Sequence, residues 1–105
     1  MSNRETITTL KPRFSATVAF EAARPADVER ISYGLFEAKN LWDAARNVAK
    51  WAAMYRYGNR GETGFVAMVD RNKFRASIGV QRRSNGAHGL TLHGGSIVIT
   101  LGEEE

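Results

Sequence analysis

Two stretches of this chain alternate apolar and polar residues with a period of two, and that alternation constrains the fold more than any other feature. In RFSATVAFE, residues 13–21, Phe14, Ala16, Val18 and Phe20 fall on one face and Arg13, Ser15, Thr17 and Glu21 on the other. In FRASIGVQR, residues 74–82, Phe74, Ala76, Ile78 and Val80 point inward and Arg75, Ser77, Gly79 and Gln81 outward. Each is a half-buried strand, so the chain builds a sheet whose apolar side is covered and whose other side meets water.

One segment is suited to be the cover. Asn40 is a helix N-cap residue, with Asp43 three positions on in the first turn. LWDAARNVAKWAAMYRY then runs to Gly58, a good helix terminator. Leu41, Ala44, Ala45, Val48, Ala52 and Tyr55 form an apolar stripe, and Asp43, Arg46, Asn47 and Lys50 form the polar face. The alanines permit close approach to a sheet, and Trp42 and Trp51 flank the stripe.

The remaining segments read as strands. VERISYGLFEA, residues 28–38, admits both a helix and a strand. Gly34 would cost a helix about 1 kcal/mol, and the fresh helix start at Asn40 favours the strand. GNRGETG reads as a terminator plus linker. FVAMVD is apolar on both faces, as an interior strand would be, and DRNK supplies a turn. In GLTLHGGSIVITL the pair Gly94-Gly95 suits a two-residue turn between two short strands. The expected fold is therefore α+β: a mostly antiparallel sheet of five to six strands, in chain order β-β-α-β-β-β-β, with one long helix on one face. Residues 1–12 are expected to be a flexible arm, 13–102 a single domain and 103–105 an acidic tail.

With 105 residues there is room for one core. The N-terminal residues lack the apolar stretch of an export signal, and no run is long enough to span a membrane. Cysteine is absent, which removes disulfides and thiolate chemistry. An intracellular, cytoplasmic protein without membrane association is expected. His88 and His93 have no neighbouring ligand set for a metal. Ser84 and Ser96 lack a nucleophile motif, and the carboxylates form no pair of catalytic spacing. GNRGETG lacks the ending of a phosphate-binding P-loop and precedes a strand. Neither catalysis, a cofactor nor a metal is expected.

The charge points to binding instead. The formal net charge is +4, and seven basic but only two acidic residues lie between Arg56 and Arg83. Arg75 and Gln81, continuing into Arg82 and Arg83, with Arg71 and Lys73 at the turn, would make a basic stripe roughly 25 Å long on the open face. Arg56 and Arg60 add to the same block. Sheet readers of single strands need exposed aromatics, and Phe65 and Phe74 fall on faces expected to be inward. The expected partner is therefore an acidic protein or nucleoprotein surface, with direct, sequence-nonspecific nucleic-acid binding as the alternative. A small, cofactor-free basic domain of this kind resembles in type, though in no motif, the accessory and anti-defence inhibitors of phages and mobile elements, anti-CRISPR proteins among them. The flat, uncharged SIVITL is expected to be an edge strand through which a homodimer could form.

Overall fold

The computed structural model describes residues 11–83 and 90–104. Five strands and one α-helix follow one another: β1 (Arg13–Phe20), β2 (Glu29–Glu37), α1 (Leu41–Tyr57), β3 (Gly61–Asp70), β4 (Lys73–Arg83) and β5 (Leu90–Glu104). Short 3-10 turns occupy Pro25–Asp27 and Gly58–Arg60. The strands form one sheet in the order β2-β1-β5-β4-β3, antiparallel throughout. The protein is α+β, with one helix on one side of one sheet.

The alternating segments behave as their pattern requires. Phe14, Ala16, Val18 and Phe20 of β1 are buried, as are Phe74, Ala76 and Ile78 of β4 and Ile97, Ile99 and Leu101 of β5. Burying a large apolar side chain of this kind stabilises by about 1.5–3 kcal/mol, so this layer holds the sheet to the helix. Segment 28–38 resolves as a strand, with Ile31, Tyr33 and Phe36 packed on the core side.

Helix α1 begins and ends where its capping residues dictate. The Asn40 side chain accepts a 2.9 Å hydrogen bond from the Asp43 backbone N–H. Gly58, at φ 67°, closes the helix by donating its N–H to the Met54 carbonyl. The buried face is Ala44, Ala45, Val48, Ala49, Ala52 and Ala53; Tyr55 stays exposed, its ring 5.9 Å from that of Phe20. At 1.5 Å per residue the helix is about 25 Å long, close to the length of an eight-residue strand. The two tryptophans seal opposite flanks: Trp42 meets Phe74 edge-on at 5.2 Å, and Trp51 meets Phe36 at 5.0 Å. The chain returns to the sheet so tightly that a side chain at Gly61 would run into the Ala53 carbonyl.

Several expectations are corrected. Gly94 and Gly95 make no turn; they lie inside the single strand β5, opposite Gly79 and Ile78, so the sheet has five strands. A side chain at Gly94 would strike the backbone of Ile78 and Gly79, so Gly94 serves close cross-strand approach. SIVITL is the middle of the sheet, flanked by β1 and β4, which closes it as a route to a dimer. FVAMVD belongs instead to the edge strand β3, and GETG opens that strand instead of linking to it. The acidic end is not a separate tail up to residue 104, because Glu103 and Glu104 continue β5 opposite Phe14 and Arg13. The expected arm reaches into the domain at Pro12, whose carbonyl accepts a hydrogen bond from the Ala38 N–H; residues 1–10 lie outside the described residues.

Candidate binding surfaces

The side of the sheet opposite α1 is uncovered. Its middle is lined by short side chains, Ser15, Thr17, Ala19, Ser77, Ser96, Val98 and Thr100, which alternate with the buried residues of the same strands. Lys73, Arg75 and Gln81 share this face, as the period-two reading of β4 requires. The continuous basic stripe does not survive, however, for three reasons.

First, Arg75 is neutralised within the molecule. Its guanidinium lies 2.8 Å from Glu21, whose second oxygen accepts a 2.7 Å hydrogen bond from Ser96 Oγ. Second, successive rungs of a strand present opposite faces. Arg82 pairs with Thr91 and Arg83 with Leu90 in unbroken register, so the two adjacent arginine positions are split between faces. Third, Arg71 sits in the β3–β4 turn beside Leu41, Asn72 and Leu101, at the end of the sheet where α1 starts. Arg56 is engaged as well: it donates to Glu29 at 2.6 Å and lies 4.2 Å from the centre of the Phe20 ring.

Glu29 takes a second donor at the same place. Tyr55 Oη donates to it at 2.7 Å. That hydrogen bond, with the Arg56 contact, holds the Glu29 carboxyl below its ordinary range, and the same bond raises the Tyr55 phenol. The ring thereby pins the end of α1 to the start of β2.

What the fold does bring together is Arg60, Gln81 and Arg82. The 3-10 turn places Arg60 just before β3, and the pairing of Gly61 with Val80 sets it beside the end of β4. With Glu62 and Val80 these residues line a concavity of about 410 Å³. Neither Arg60 nor Arg82 has an ion pair among the described residues.

A second concavity was not legible in the sequence. β3 is bulged between Thr63 and Val66, so that Gly64 and Phe65 together oppose Ser77. The bulge turns Phe65 outward to 81% exposure, against the inward placement that its alternation suggests. Between this edge and α1 runs a groove of about 730 Å³ lined by Trp42, Arg46, Asn47, Lys50, Glu62 and Phe65, among others. Arg46 is held to Asp43 at 2.9 Å, whereas Lys50 has no ion pair among the described residues. The helical spacing of Trp42, Arg46 and Lys50 is plain in the sequence; their apposition to Phe65 depends on the bulge.

Of the residues considered for chemistry, His93 lies in β5 with Nε2 3.0 Å from Thr91 Oγ1, and His88 and Ser84 lie outside the described residues. Among the described residues no three His, Cys, Asp or Glu side chains are grouped to hold a metal ion, and no helix is long and apolar enough to cross a membrane. No protein-family model, curated protein or solved structure matches this chain.

Proposed function

We propose that this chain is a non-catalytic binding module that docks its basic end onto an acidic protein or nucleoprotein surface inside the cell. The observation that carries the reading is the convergence of Arg60 and Arg82, from two separate elements, on one concavity with a single carboxylate, Glu62. Arg56 and Arg75 are satisfied internally, while neither Arg60 nor Arg82 has an ion pair among the described residues. Arginine suits such a role because its planar fork binds carboxylates and phosphates in pairs of hydrogen bonds. A blocking protein of the anti-defence kind is one form that such docking takes.

The test is capture of a partner from lysate of the source cell by the wild-type chain and by Arg60→Glu/Arg82→Glu, before and after nuclease treatment. The reading expects one partner, retained at moderate salt and lost with the double variant. Equal recovery by the variant would remove the reading. Loss of the partner on nuclease treatment would identify a nucleoprotein.

A further inference from the structure

The groove between α1 and β3 has the composition of a site for unpaired nucleobases. Single-stranded nucleic acid is held by aromatic faces for the bases and cations for the phosphates. Phe65 offers an 81% exposed ring on one wall. Trp42 stands on the other, 39% exposed and fixed by its edge-on contact with Phe74. Lys50 follows about two turns along the same side of α1, with the Asn47 amide between them to donate and accept at a base edge. Glu62 lines both this groove and the Arg60–Arg82 concavity, so the two adjoin around the start of β3. A chain of phosphates leaving the aromatic end thus meets Lys50, then Arg60 and Arg82.

We infer that this groove binds single-stranded nucleic acid, stacking bases on Phe65 and Trp42 and leading the phosphates past Lys50 to Arg60 and Arg82. The inference rests on the anion-docking reading above and names the partner's class. A duplex is disfavoured because its base faces are already stacked. An extended acidic peptide is disfavoured because it would add to the outer edge of β3, whose ladder is irregular at Thr63/Val66 and again at Met68/Asp70.

The experiment is fluorescence anisotropy of the full chain with a labelled oligothymidylate of about 15 nucleotides, the same length of duplex, and labelled polyglutamate. The oligothymidylate is expected to bind more tightly than the duplex, with log affinity falling linearly in log salt. Phe65→Ala should weaken it by roughly 5- to 150-fold, the range for one stacked base, with an unchanged melting temperature because the ring is exposed. Lys50→Met should lower the salt slope by about 0.7, one phosphate's share for a single strand. Binding that Phe65→Ala leaves intact, or that the duplex matches, overturns the inference. Polyglutamate binding without oligothymidylate binding also overturns it while the docking reading stands. If neither binds, the inference is overturned, and the docking reading is then decided by the partner-capture experiment.

Discussion

Replacing Gly94 and Gly95 by alanine, one at a time, separates two accounts of the longest strand. A Cβ at Gly94 would sit 2.8 Å from the Ile78 carbonyl carbon and closer still to Ile78 O and Gly79 Cα, all of them backbone atoms. Relief requires β4 to move, yet β4 is held on its far side by β3 at Gly61↔Val80 and Glu62↔Gly79. Overpacking costs about 1–3 kcal/mol, and the immobility of the neighbour puts Gly94→Ala at the upper end. A Cβ at Gly95 meets nothing within 4 Å, and its φ is not positive. Gly95→Ala therefore loses only unfolded-state freedom and is expected to stabilise by about 0.4–1 kcal/mol. For a domain of this size each kcal/mol moves the melting temperature by about 4–8 °C, so the variants should differ by roughly 14–32 °C. Thermal unfolding followed by circular dichroism measures this directly. In a type I′ turn, the primed turn that a Gly-Gly pair favours, both glycines would need positive φ and both alanines would be costly. Melting temperatures within about 3 °C of each other would refute the strand account.

Two further outcomes follow from local contacts. Asn40→Ala removes the acceptor for the Asp43 N–H and should destabilise by about 0.5–2 kcal/mol in urea unfolding, while Asn40→Ser should recover most of it. The Glu29 carboxyl is lowered on folding by Tyr55 and Arg56, so its contribution is present above the ordinary carboxylate range and lost as pH falls through the lowered folded value. Urea midpoints measured from about pH 6 down to about pH 3 should therefore decline less steeply for Tyr55→Phe than for wild type, and an identical decline would refute the assignment.

Residues governed by short-range physics are legible in the amino-acid order itself. Period-two alternation over residues 13–21 and 74–82 defines which side chains are buried, because a strand has only two faces. Asn40 and Gly58 bound α1 because capping and left-handed backbone are decided by one or two residues. The preference of 28–38 for a strand follows from Gly34 and the adjacent cap.

Lateral order in the sheet is not accessible in the same way. FVAMVD and SIVITL are both apolar runs; SIVITL becomes interior because β1, far along the chain, pairs with it at Phe20↔Ile97, while FVAMVD keeps only its hairpin neighbour, with Val66 opposite Ala76. Gly94-Gly95 carries the composition of a turn, and only the close approach of Gly79 makes it part of a strand. The same holds for the binding surfaces. Glu21 reaches Arg75, a bulge turns Phe65 outward, and Arg60 meets Arg82 through pairings between residues remote in sequence. Local pattern specifies which face of each element is apolar; the pairing of distant strands specifies which charges are cancelled and which are left to meet a partner.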